Sequence, residues 1–190
     1  MQVATEFRTP HSQHGMAYDI NMLGRLPIVC ALAGALVAQT HESPPPNSSA
    51  ILAKVADIHG AAGIFAVAGY RMGERALAIL GEPRGSFALD VTHKTPLEVQ
   101  WSCVADGVQA STGVSAGKLN LHIVPVAKSD VETVIHDKRS GKEVVFRLQP
   151  AFLTKYLDTP RDHQPEAARE VLALPDDQIF TFRIVEPKVK

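Results

Sequence analysis

Cysteine is scarce in this sequence, and so are most patterns that indicate a function. Only Cys30 and Cys103 occur, with no CxxC spacing, which excludes a disulfide framework and a thioredoxin-like redox motif. The formal net charge is -1 and basic residues do not cluster, so we expect no nucleic-acid partner. The apolar run at residues 26–38 is shorter than the ~20 residues that a transmembrane helix needs, so no membrane span is expected.

The first 49 residues divide into three segments. Residues 1–21 are polar and without pattern, and we interpret them as disordered or as an over-extended gene start. Residues 22–38 combine a basic residue, an apolar run and small residues at the end, which predicts a signal peptide and a periplasmic or secreted protein. The alternative is a buried N-terminal helix in a cytoplasmic protein. Residues 39–49 include three consecutive prolines and predict an extended linker, so the folded domain is predicted over residues 50–186.

Helical and strand periodicities are mixed along this domain. The mixture predicts an α+β fold, in which a mixed or antiparallel sheet is packed with helices. Gly69 and Gly73 lie four residues apart in one predicted helix, where they allow another backbone to approach closely. The predicted helices are residues 50–58, 64–80, 105–112, 150–157 and 165–172, and the predicted strands are residues 87–91, 119–126, 131–136, 143–148 and 179–185.

Cys103 and His59 are the candidate catalytic or metal-binding residues. Cys103 lies near the start of a predicted helix, where the helix dipole lowers the pKa of a thiol. With His59 it is suited to be a nucleophile–base pair, or to bind a soft divalent metal such as zinc. The glycine-rich loop 60–63 precedes a helix, so its N–H groups favour an anion or a thiolate near His59. The structural alternatives are a tight loop and a small buried cysteine.

Four further residues are candidate ligand-binding residues: Asp106, Thr112, Lys118 and Tyr70. Asp106 is suited to be a third metal ligand or the cap of a short helix. Lys118 is placed either to meet an anion or to fix the turn before the next strand, and Tyr70 to reach a cleft or a dimer surface. Residues 113–119 have one residue too few between their glycines for a phosphate loop, and a strand follows them, so we reject a nucleotide site there.

Many of these residues belong to one spaced pattern. It comprises His59, Gly60, Gly63, residues 69–73, Cys103, Asp106, Gly107, Gln109, Thr112, Gly113, Gly117, Lys118 and Asn120, with a second block at residues 167–177 and Phe180. The pattern resembles the FmdE family, which takes its name from a subunit associated with formylmethanofuran dehydrogenase. The resemblance implies an α+β core, a homodimer and a Cys/His cleft that holds a divalent metal, with His59 and Cys103 as the matching ligands.

Three positions depart from the family pattern. Ala61 replaces a second histidine, Gly63 stands where a cysteine is common, and Ile64 replaces a proline. The C-terminal zinc finger of some members is also missing. A metal site would therefore be reduced to His59 and Cys103, which is too few ligands for a structural metal.

The sequence thus predicts an exported FmdE-like domain. Its expected role is that of an accessory protein that binds a metal or a small, for example anionic, ligand in a cleft formed by His59 and Cys103. One alternative is a thiol-dependent or metal-assisted enzyme that uses these two residues. Another is a homodimeric interaction domain whose site is vestigial.

Overall fold

The computed structural model describes residues 47–187, which form a five-stranded sheet packed with helices. The helices are α1 Ser48–His59, α2 Ile64–Leu80, α3 Val99–Thr112, α4 Pro150–Tyr156, α5 Gln164–Ala173 and α6 Asp176–Ile179. The strands are β1 Leu89–Thr95, β2 Leu121–Pro125, β3 Glu132–Asp137, β4 Glu143–Leu148 and β5 Phe180–Val185. This architecture confirms the predicted α+β fold.

The sheet is mixed, and its strand order is β2-β1-β3-β4-β5. Strand β1 pairs parallel with β2, and the other three pairings are antiparallel. Along β1, alternate residues beginning with Leu89 and Val91 are buried, whereas the residues between them are only partly buried. This period of two is the signature of a strand with one face packed against a core.

Helices α2 and α3 pack against each other more extensively than any other pair of elements, and both contact the sheet. Their contact is close because glycines occupy it. A β-carbon on Gly107 would overlap the carbonyl oxygen of Ala66, and one on Gly69 would overlap that of Val104. A β-carbon on Gly73 would likewise meet the Ser111 hydroxyl. The predicted glycine face of α2 is therefore confirmed.

Helix α1 reaches the start of α3 through a sharp turn. It ends at His59, and Gly60 follows in the left-handed conformation with φ of 85°, which glycine adopts without steric cost. Residues 61–63 then lead into α2. Because α1 also packs against α3, its last turn is held beside the first half of α3.

Three boundaries differ from the predictions. Strand β1 is shifted two residues toward the C-terminus from the predicted start at residue 87. Helix α3 begins at Val99, six residues before the predicted start at 105, because Trp101, Val104 and Val108 bury one continuous helical face. The short helix α6 precedes β5 and was not predicted.

The predicted N-terminal segments lie mostly outside the described residues. Residues 1–21, the signal peptide at 22–38 and residues 39–46 of the linker belong to this part, and α1 begins at Ser48, two residues before the predicted domain start. Among the helices of residues 47–187, none alone is long and apolar enough to cross a membrane, and α1 and α2 meet that criterion only as a pair bent by 110°.

The contact of α2 with α3 predicts a strong effect of one added methyl group. We expect Gly107→Ala to lower the free energy of unfolding by about 3 kcal/mol, since its β-carbon would collide with backbone rather than with a flexible side chain. Gly117→Ala is the matched control, because the nearest atom to its β-carbon lies 4.0 Å away. Urea denaturation measures both; equal midpoints for the two variants would contradict the proposed backbone contact.

Candidate functional site

A cleft of about 980 Å³ opens where α1 ends and α3 begins. Its third side is the segment that leads from α4 into α5. This size is at the upper end of the range for pockets that bind small molecules. The lining residues are Leu52, Ala53, Ala56, His59, Gly60, Ala61, Ala62, Gly63, Val99, Gln100, Cys103, Thr159, Arg161, Gln164, Pro165 and Arg169. Both His59 and Cys103, some forty residues apart in sequence, therefore border one cavity.

A hydrogen bond to Asp106 orients the His59 ring. The distance from His59 Nδ1 to Asp106 Oδ2 is 2.7 Å, and it joins the last turn of α1 to α3. When Nδ1–H donates to this carboxylate, Nε2 is the unprotonated nitrogen of the neutral ring. A β-carbon on Gly63 would lie 3.6 Å from Nε2, so that nitrogen faces the loop that borders the cleft. Carboxylates orient metal-binding and general-base imidazoles in the same way.

Cys103 keeps its proton. Burial, together with the negative charge of Asp106, raises the pKa of its thiol to about 11. Its Sγ donates a hydrogen bond to the Val99 carbonyl oxygen at 2.9 Å. The prediction of a lowered pKa is wrong because α3 begins at Val99, which leaves Cys103 in the second turn, where the helix dipole has little effect.

The remaining predicted residues divide between this cleft and other places. Asp106 belongs to the cleft through its bond to His59. Thr112 is fully buried and donates its hydroxyl to the Val108 carbonyl oxygen. Tyr70 is buried in α2, and this burial raises its pKa. The structure thus does not bring Thr112 or Tyr70 to the cleft lining.

Lys118 has a structural contact at the end of α3. Its Nζ donates a 2.8 Å hydrogen bond to the Gly113 carbonyl oxygen, and the Ser115 hydroxyl accepts one from the Lys118 N–H. Residues 113–117 also have the Gly-x-Ser-x-Gly spacing of a serine-hydrolase elbow. Such an elbow leads from a strand into a helix, whereas this turn leads from helix α3 to strand β2. It is a connecting turn, as predicted for Lys118 in its structural role.

Arg161 and Arg169 are cleft residues that the sequence analysis missed. Neither guanidinium has an ion pair or hydrogen bond with another residue in the described range 47–187, and no aspartate or glutamate of that range lines the cleft. Gln164, between them, accepts a hydrogen bond from the Ile64 N–H at the start of α2 and donates one to the Thr159 carbonyl. In the sequence the two arginines follow no motif, and exposed basic residues of this kind are usually solvated.

The donor atoms of the cleft do not fit a resident metal ion. Zinc sites take three or four protein ligands, and within residues 47–187 no group of three or more His, Cys, Asp or Glu side chains could hold a metal. The available donors are His59 Nε2 and a Cys103 thiol that stays protonated. The expected reduction of the site by Ala61 and Gly63 agrees with this count.

Comparison with known proteins identifies the family. A family model described as FmdE, molybdenum formylmethanofuran dehydrogenase operon, matches residues 58–181. The fold is similar to that of an FmdE-like protein of tungsten formylmethanofuran dehydrogenase from Syntrophus aciditrophicus, with a TM-score of 0.50 and 19% sequence identity over 74% of this chain and 73% of that chain. No curated protein matches the chain. Because the family model covers more than half of its length, this chain belongs to the FmdE family.

Proposed function

We propose that this FmdE-family domain is a binding module that holds a small organic anion in the cleft beside His59. The charge of the lining supports this proposal: Arg161 and Arg169 contribute two positive charges, and no acidic residue of the described range lines the cavity. A guanidinium forms paired hydrogen bonds with a carboxylate or phosphate. The two arginines therefore supply the charge that such a ligand requires.

His59 has the role of a directional contact in this proposal. Its Nε2 accepts a hydrogen bond from the ligand when the ring is neutral and donates one when the ring is protonated. Asp106, 2.7 Å from Nδ1, fixes the ring so that Nε2 stays directed toward the loop at Gly63. Cys103 borders the same space as a neutral, weakly polar thiol.

Two properties predicted from the sequence remain predictions. These are export after cleavage of residues 22–38 and assembly as a homodimer. A divalent metal is the competing ligand implied by the family, and it is included in the binding test because His59 and Cys103 border the same cleft.

The binding test uses the full chain labelled with ¹⁵N. We expect acetate, succinate and phosphate to shift backbone amide signals of residues 60–63 and 161–169, with zinc chloride giving no stable complex. Arg161→Gln and Arg169→Gln should each weaken binding by about three- to tenfold, the range of a partly exposed ion pair. Arg183→Gln, an exposed arginine outside the cleft lining, should leave affinity unchanged. Equal affinities in all four proteins would refute an arginine-dependent site.

The raised pKa of Cys103 predicts slow alkylation. With a pKa of about 11, the thiolate fraction at pH 8 is on the order of one in a thousand, compared with about one quarter for an ordinary thiol. We expect the rate with iodoacetamide to rise until the pH passes about 11, and the urea-unfolded chain to react with an ordinary pH dependence. Rapid modification of the folded chain at neutral pH would instead favour the thiol-dependent enzyme.

The bond between His59 and Asp106 predicts one ring tautomer. In the neutral ring we expect ¹⁵N chemical shifts to place the proton on Nδ1, because Asp106 accepts a hydrogen bond from it. Asp106→Ala should shift the population toward the Nε2–H tautomer. Asp57→Ala removes an exposed acid from α1 instead and should leave the tautomer as it is; a shift of the same size in both variants would rule out orientation by Asp106.

A further inference from the structure

We infer that the cleft takes an amphiphilic anion, a monocarboxylate with an unbranched alkyl chain, rather than a compact anion. This inference rests on the proposed function and adds the class of its ligand. The cleft carries charge on one side and apolar surface on the other, and its volume exceeds what the charged side alone would need.

The charged side is the segment that leads into α5. Arg161 lies in the turn before this helix and Arg169 lies within it, and both side chains line the cleft without an acidic partner in the described range. Gln164 ties this segment to the start of α2 through its hydrogen bonds to Ile64 and Thr159. The polar contacts of a ligand would therefore concentrate at one end of the cavity.

The opposite walls are apolar. Helix α1 contributes Leu52, Ala53 and Ala56, which are spaced one helical turn apart or less, and α3 contributes Val99. The Val99 side chain is 81% exposed, so it has most of its apolar surface still available to a ligand. Burial of such surface is favourable in proportion to the area removed from water. An alkyl chain that runs along these walls would bury this surface.

The volume of the cavity separates a long ligand from a compact one. A space of about 980 Å³ belongs to the range that holds drug-sized molecules. Acetate or phosphate would contact the arginines and leave the wall at Leu52 and Val99 in water. A carboxylate with a chain of about eight carbons would reach both surfaces at once.

The test is a chain-length series measured by NMR titration of the full chain with acetate, butyrate, hexanoate and octanoate, below their micelle concentrations. One buried methylene is worth about fourfold in affinity, and the cleft is open, so we expect at least about a tenfold gain from butyrate to octanoate. 1-Octanol, which has the chain without the charge, should bind more weakly than octanoate. Arg161→Gln combined with Arg169→Gln should remove that difference.

A pair of exposed residues supplies the matched variants. Val99 and Leu97 are 81% and 80% exposed, but only Val99 lines the cleft, so neither substitution should affect folding. We expect Val99→Ser to weaken octanoate about threefold and acetate hardly at all, and Leu97→Ser to change neither.

Each outcome distinguishes the inference from the proposal beneath it. Arginine-dependent binding with the same affinity for every chain length would overturn the amphiphile and leave the anion site intact. Equal binding of 1-octanol and octanoate would overturn both, as would the absence of arginine-dependent binding for every member of the series. A loss of octanoate affinity in Leu97→Ser equal to that in Val99→Ser would place the chain outside the cleft and also overturn the inference.

Discussion

The backbone-to-backbone contact between α2 and α3 is the constraint on which the rest of this structure depends. Gly107 of α3 lies against the Ala66 carbonyl, with no space for a β-carbon. Asp106 is the residue immediately before it, so the depth and rotation of α3 in this contact also set the direction of the Asp106 carboxylate. That carboxylate in turn holds His59 across the gap from α1. The geometry of the cleft thus follows from the fit of two helices rather than from the loop beside it.

Sequence reasoning identified those features that depend on neighbouring residues. The spacing of Gly69 and Gly73 indicated a close helix contact, and the hairpin of β3 and β4 was found because its turn and its alternation both lie within a short segment. Helix α3 was predicted too short because Pro96 and the aromatic Trp101 look like the end of a strand. The burial of Trp101 against the core, which makes the segment helical, depends on residues far away in the sequence.

The candidate site was predictable to a similar extent. His59 and Cys103 were found from their chemistry and from the family resemblance, and both border one cavity. The pKa of Cys103 could not be predicted, because it depends on where α3 begins and on how much of the thiol is buried. Arg161 and Arg169 carried no local signal at all. Their importance comes from the acids that are missing around them, which is a property of the fold.

The exposure of these two arginines determines the distance over which they act. At physiological ionic strength the Debye length is about 8 Å, and the chain as a whole has a net charge of only -1. No long-range field would therefore guide an anion toward the protein. Encounter would depend on ordinary diffusion, and the guanidinium groups would discriminate among molecules only after these had entered the cleft. Selectivity would then be expressed in the rate of dissociation, while the rate of association stays nearly insensitive to salt.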